Sequence, residues 1–381
     1  KENGFVALNI PGYHFSQDVG LPELPQINEL IELPQNAIPR IEILSQTVSY
    51  YKLDELNINN PIFPHQPSLS KSQNINDTQL YWDKKYYNNN SYNDKEIITI
   101  DIKGMLRSLR IGNLNINPIN YNPVEKTLRV ISDIQFNIYF DEANYVKTNE
   151  LKEKYHSPYF NSIYKNISNY DPILLEDDLV DYPVTYVIIT NPIFENSLSD
   201  FIDWKTQKGY KVIVGNTAEI GSSTENIKSF IQNLYENPTD EIAAPSFVLF
   251  VGDVTQVPTY NGSTGGHVTD LYYCEFTGDF LPEIYHGRMS AENLDQLESQ
   301  LNKTLEYEKF EMPDPSYLEE VLMVSGVDGS FAAIHGNGQI NYGTTYYFNE
   351  DHGVSSHTYL YPESDGSGAA AAIIQDFNDG V

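Results

Sequence analysis

Three carboxylates and one acidic loop carry the clearest chemical signal in this chain. Asp253 follows Gly252 directly after the unbroken apolar run Phe247–Val251, and the loop Asp279-Phe-Leu-Pro-Glu283 comes one element later. A hard cation such as calcium takes six to eight oxygens from carboxylates and carbonyls on a loop that can bend around it. Gly278-Asp279 supplies a bend and Pro282 stiffens the approach to Glu283, so Asp253, Asp279 and Glu283 are candidate ligands of a structural calcium. Asp328, in Ser325-Gly-Val-Asp-Gly-Ser330, follows a second apolar strand; it suits the carboxylate that orients a catalytic histidine, or the side chain of an Asx turn. Cys274 follows Tyr272-Tyr273 with no base nearby and reads as a buried, unreactive thiol. His335 and His357 flank the Asp328 segment without a serine or cysteine partner, so no complete catalytic set is expected here. In the first half, Arg107 and Arg110 read as surface residues of an edge strand, with pinning a carboxylate or insertion into a pocket as the alternatives. His14, His65 and His156 are isolated and are not expected to bind metal.

The elements that must position these groups change character near the middle. Val6–Ile10, Ile41–Tyr50, Glu96–Ile102 and Leu128–Phe140 alternate apolar and polar residues, as half-buried antiparallel strands do. The stretch 70–92 is rich in Asn, Tyr and Lys and reads as a long loop. No convincing helix is expected before residue 148, so the first half is predicted to be all-β, a sandwich or curved sheet. An exposed connection with the acidic run Glu176-Asp-Asp178 follows. Thr185–Thr190, Tyr210–Val214 and Phe247–Val251 are then buried strands, separated by helices over 197–208, with Ser197 as cap, and 223–236. That β-α-β-α-β order specifies right-handed crossovers and a parallel sheet, whose carboxyl edge is where ligands bind. An extended segment 270–288, a helix 291–310, a strand 320–325, an ambiguous helix through 332–348, a short strand at 357–360 and a helix ending at Gly380 complete the chain. The expected domains are 1–170 (β-rich), 171–183 (linker), 184–315 (first α/β subdomain) and 316–381 (start of a second).

Composition narrows the partners. The 381 residues hold 23 Lys+Arg against 53 Asp+Glu, a formal charge of −30, so no basic stripe exists for a nucleic acid to bind. No run approaches the roughly 18 apolar residues of a membrane span. A single cysteine allows no intrachain disulfide. The opening Lys1-Glu-Asn-Gly4 has neither initiator Met nor leader, and the last residues open an apolar run, so a trimmed fragment is expected.

The blocks Tyr186-Val-Ile-Ile-Thr190, Phe201-Ile-Asp-Trp-Lys-Thr-Gln-Lys-Gly209, Val248-Leu-Phe-Val-Gly-Asp253-x4-Pro258, Gly287-Arg288 and Ile374-x2-Phe-Asn-Asp-Gly380 resemble the gingipain-type cysteine peptidases. Gly20-x-Pro22-x-Leu-Pro25 and Pro118-x-Asn-Tyr-Asn-Pro123 resemble that family's propeptide. The resemblance covers nearly the whole chain. It implies a propeptide followed by a caspase-like α/β/α peptidase domain, C-terminally incomplete here, secreted or at the cell surface (outer-membrane-associated) of a bacterium. It implies protein or peptide substrates, the chain's own propeptide as intramolecular inhibitor, and a Cys–His dyad expected beyond Val381. It also implies that Asp253, Asp279 and Glu283, with carbonyls near Phe276 and Leu281, match a calcium site, and that Asp328 supports the catalytic histidine. The aspartate behind arginine specificity falls at Gln339, and a neutral side chain cannot neutralise a guanidinium. A sortase-like member, processing C-terminal signals of secreted cargo, and a non-catalytic surface or adhesion protein keeping the fold are the alternative readings.

Overall fold

The computed structural model describes residues 4–69, 79–93, 95–172, 184–263, 266–329 and 331–380. The chain divides into two compact units, Lys1–His65 with Trp82–Leu305, and Gln66–Tyr81 with Glu306–Val381.

The first unit opens with two antiparallel sheets. One has the order His14–Phe15, β1 (Pro25–Leu33), β4 (Leu109–Ile116), β3 (Ile98–Leu106); the other joins β2 (Ile38–Lys52), β6 (Thr127–Asp141) and β5 (Ile119–Asn122). Along β6 the residues after Asp133 alternate between half-buried and exposed, as their polarity pattern requires. Ile134, Phe136, Ile138 and Phe140 thereby pack on Ile31, Leu33, Ile98 and Leu114 of the other sheet, which makes this region a sandwich. The expected strand at Val6–Ile10 reduces to a single bridge between Val6 and Ile62, because the peptide groups after Val6 find no continuous partner strand. Helix α1 (Tyr145–Lys154) closes the sandwich, held to β1 by a buried ion pair between Lys152 and Glu32 at 2.5 Å.

The α/β region of the same unit is a parallel sheet in the order β10 (Tyr285–Met289), β9 (Phe247–Val251), β7 (Val184–Thr190), β8 (Tyr210–Asn216). Period-two alternation divides its side chains between two cores. Val187, Ile189, Val248 and Phe250 meet Ile227, Ile231 and Tyr235 of α3 (Thr224–Glu236) on one face. Ile188, Leu249 and Val251 meet Phe201 of α2 (Ser199–Gln207) and Leu297 and Leu301 of α4 (Leu294–Lys309) on the other. Ser223 caps α3 by accepting from Asn226 N–H at 3.2 Å. Ser197 does not cap α2, because a 3-10 turn over Pro192–Leu198 leads directly into it. Strand β10 lies inside the segment expected to be merely extended; its sequence Tyr-His-Gly-Arg-Met lacks the apolar run that announced the other three.

In the second unit β11 (Glu320–Val324) pairs in parallel with β12 (Ser355–Tyr359). A π-helical turn at Ala332–Gly336 runs into α5 (Asn337–Tyr346), and α6 (Ser367–Asp379) ends at Gly380, whose φ of 96° only glycine adopts without cost. Residues 173–183 of the expected linker, and Val381, lie outside the described residues.

Candidate functional site

Asp253 stands where the sequence placed it, past the carboxyl end of β9. Its N–H donates to the Ala291 carbonyl at 2.9 Å, and its carboxylate accepts from Ser290 Oγ at 2.8 Å. That hydroxyl, with the Val254 N–H, holds the carboxyl below the ordinary aspartate range. The same edge is tied by Arg288 of β10. Its Nε and one terminal nitrogen grip both Asp270 oxygens at 2.8 and 2.7 Å, and the other donates to the Gly252 and Val257 carbonyls at 2.7 and 2.9 Å.

The acidic loop lies at the opposite edge. Glu283 precedes the start of β10, and Tyr285 pairs with Phe247. Asp253 is six residues beyond Phe247 and past the end of β9, so it stands about 20 Å from the start of β10, which Glu283 precedes. Asp279 and Glu283 do come together, with Glu275 as a third acid. Glu283 is 1% exposed; burial, then Asp279 and Glu275, push its carboxyl up to about 7, against donation from Phe276 N–H at 2.8 Å and Thr277 Oγ1 at 3.3 Å. Glu275 accepts from the N–H groups of Gly278 and Asp279. Asp279 accepts from Leu281 N–H at 2.8 Å and from Met105 N–H at 2.6 Å. Of the expected set Asp253, Phe276, Asp279, Leu281 and Glu283, the structure brings the four loop residues together at the amino edge and places Asp253 at the carboxyl edge. Among the described residues no group of three His, Cys, Asp or Glu is arranged to hold a metal.

The decisive side chain at this edge is Arg107, which the sequence pattern placed on an exposed edge strand. The structure corrects that reading: Arg107 is 1% exposed and sits at the tip of a two-residue hairpin joining β3 and β4. The loop Arg107-Ser108 lacks the Asn or Gly that marks such turns, so the hairpin left no signal. Its guanidinium donates to four carbonyls: Tyr155 at 2.7 Å, Pro245 at 2.7 Å, Ala244 at 2.9 Å and Glu283 at 3.0 Å. The rings of Phe160 and Tyr235 flank it at 5.0 and 5.6 Å. Burial pulls its pKa down, opposed by the surrounding tyrosines and Glu283. Its φ of 54° is strained for a residue with a Cβ, and the four hydrogen bonds over-determine it. Arg110 is half-buried, and it donates to the Pro34 and Ala37 carbonyls at 3.1 and 2.8 Å.

Asp328 lies past the carboxyl end of β11, in the second unit. Its carbonyl accepts from Phe331 and Ala332 N–H at 3.1 and 2.7 Å, which starts the turn into α5. Gln339, exposed on α5, lines an open cavity of about 350 Å³ with His335 and Tyr342. His357 has Glu320 and Asp376 oxygens each at 3.5 Å. Cys274 is fully buried in the core against α3, and burial pushes its thiol far up, so it is not a nucleophile.

Comparison with known proteins places these features. The sequence model of the C25 propeptide matches residues 6–171, and that of peptidase family C25 matches residues 180–381. The chain belongs to peptidase family C25. Lys-gingipain W83 of Porphyromonas gingivalis is 35% identical over 363 residues, 94% of this chain and 21% of that protein. Gingipain R1 of the same organism is 26% identical over 338 residues, 85% of this chain and 33% of that protein. The chain thus spans about a fifth of the length of the Lys-gingipains it matches. A solved structure concerned with the zymogenic latency of gingipain K is 31% identical, with a TM-score of 0.34 over 36% of this chain and 75% of that one.

In C25 terms the Arg107 cluster joins the two matched regions. Arg107, Tyr155, Ser157 and Phe160 belong to the propeptide; Ala244, Pro245, Ser246, Glu283 and Tyr285 belong to the peptidase region. Ser157 and Ser246 hydroxyls hydrogen-bond at 2.8 Å, and the Phe160 and Tyr285 rings lie 4.4 Å apart.

Proposed function

We propose that this chain is the precursor region of a secreted or surface-attached bacterial cysteine endopeptidase, carrying the propeptide as its own inhibitor. The observation that carries the reading is the succession of a C25 propeptide match and a C25 peptidase match, with the propeptide packed on the first peptidase sheet in one compact unit. The nucleophilic cysteine and its histidine are expected beyond Val381. There the thiolate attacks the scissile carbonyl, the histidine moves the proton, and backbone N–H groups hold the oxyanion. Asp328, at a strand's carboxyl edge, is the positioning carboxylate for that histidine. Gln339 and the higher identity to Lys-gingipain W83 than to Gingipain R1 support a primary site that does not select arginine. Nothing favours the sortase-like or non-catalytic alternatives.

The test is made on the longer precursor, extended past Val381 and freed of its propeptide. It is expected to hydrolyse lysyl anilides faster than arginyl ones and to stop after iodoacetamide. Hydrolysis that survives alkylation, or no hydrolysis of any peptide, overturns the reading.

A further inference from the structure

We propose that the Arg107 hairpin tip is the anchor that keeps the propeptide bound to the peptidase region after the connection between them is cut. The inference rests on the precursor reading above and adds the residue and the surface that do the holding.

The surface is the amino edge of the parallel sheet. Residues 244–246 lead into β9 and Glu283-Ile284 lead into β10; the Ser246 carbonyl accepts from Tyr285 N–H at 3.0 Å, whereas the Ala244, Pro245 and Glu283 carbonyls accept from the arginine. Arg107 supplies the donors. One terminal nitrogen bridges the Pro245 and Glu283 carbonyls and the other takes Ala244, so two adjacent strand entries are fastened by one planar group. The fourth bond, to Tyr155, ties the hairpin to the segment that ends the propeptide. A lysine ammonium has only three donors and no fork, and cannot reproduce this pattern.

The hairpin is shaped for the task. An irregularity between Ile102 and Gly104 turns Met105 N–H outward to Asp279 of the peptidase region. Gly104 has a φ of 144°, and a Cβ there would meet the Asp279 carboxylate at 2.1 Å. Around the polar centre the contacts are aromatic. Tyr186, Phe247 and Tyr285 form a row across β7, β9 and β10 with centroids 5.7 Å apart, and Tyr159 of the propeptide packs edge-on to Phe247 at 4.7 Å. That row borders an open cavity of about 440 Å³, and the guanidinium itself is covered by the buried Phe160 and Tyr235 rings; a buried polar group with aromatic cover is the arrangement of an interface hot spot.

The experiment places a specific protease site between Asp171 and Val184 of the full chain, cuts it, and measures dissociation of the two fragments by size-exclusion chromatography on dilution. Wild-type fragments are expected to co-elute at micromolar concentration. Arg107→Ala is expected to raise Kd by about 100-fold or more, and Arg107→Lys by about tenfold, as for a truncated buried charge. Arg40→Ala, which removes an exposed pair with Asp141, is expected to change Kd by less than about twofold. Should the uncut Arg107→Ala chain fail to fold, Gly104→Ala and Asp279→Asn test the same surface and are expected to raise Kd about tenfold. Wild-type fragments that separate on cutting, or folded variants at Arg107, Gly104 and Asp279 that all keep the wild-type Kd, overturn the anchor. Fragments held by Arg107 in a longer precursor that hydrolyses nothing uphold the anchor and overturn the peptidase reading.

Discussion

The two edges of the parallel sheet are each closed by an arginine, and the two arginines differ in what neutralises them. Arg288 grips Asp270 with two hydrogen bonds and uses its remaining N–H groups on nearby carbonyls. Its partners all lie within one stretch of chain, residues 252–270. Arg107 has only carbonyls in its fork, and three of the four belong to residues more than 130 positions away. A bidentate carboxylate pair stabilises its loop wherever it forms. A buried guanidinium served by carbonyls alone is stable only when every carbonyl is in place, so it depends on the assembled interface.

The largest test of this contrast is Arg107→Ala in the uncut chain. It leaves four carbonyls without their donor and is expected to lower stability by roughly 3–5 kcal/mol, read by urea unfolding. Arg288→Ala loses a partly exposed pair and is expected to cost roughly 2–3 kcal/mol. Equal losses at the two sites would erase the distinction.

Glu283 sharpens the amino edge through pH. Its carboxyl, pushed up to about 7, keeps its proton in the folded state through a range where the unfolded chain has lost it. Stability therefore falls as pH rises from the ordinary glutamate range to about 7 and is lower by a constant amount above that. Glu283→Gln is expected to stabilise by roughly 2–3 kcal/mol at pH 8 and by little at pH 4. A variant less stable than wild type at pH 8 would mean that the charged form is the favoured one.

Asp279→Ala is expected to cost roughly 1–2 kcal/mol through the lost Met105 bond, by the same amount in calcium and in chelator. A loss seen only in calcium would make Asp279 a cation ligand. Smallest of all, Ser290→Ala is expected to shift stability by less than about 1 kcal/mol, since its bond to Asp253 is exposed.

Much of the architecture was readable because it rests on local periodicity. The apolar runs at 185–190, 210–214 and 247–251 became neighbouring parallel strands, and the stripe of Ile227, Ile231 and Leu234 became α3. Asp253 was correctly placed at a carboxyl edge for the same reason. Strand β10 was unreadable because His286, Gly287 and Arg288 break the apolar pattern; its backbone pairing with β9 makes it a strand. Missing β10 also hid the distance between Asp253 and Glu283, which the resemblance groups as ligands of one calcium. Without its register, two acidic residues 30 positions apart look adjacent rather than one strand length apart.

Burial of a charge was the other illegible quantity. Arg107 and Arg110 read as surface residues because an isolated arginine in a polar-apolar alternation carries no mark of its partners. Sequence alone determined the β-rich half, the parallel α/β half, the family, and the inert character of Cys274, since composition, short-range period and block order set these. Tertiary structure alone decided that Arg107 is buried and that Asp279 serves the hairpin. It also separated Asp253 from Glu283. Those facts depend on which distant backbone groups face one another, and a hydrogen bond between residues 107 and 245 leaves no trace in the spacing of either.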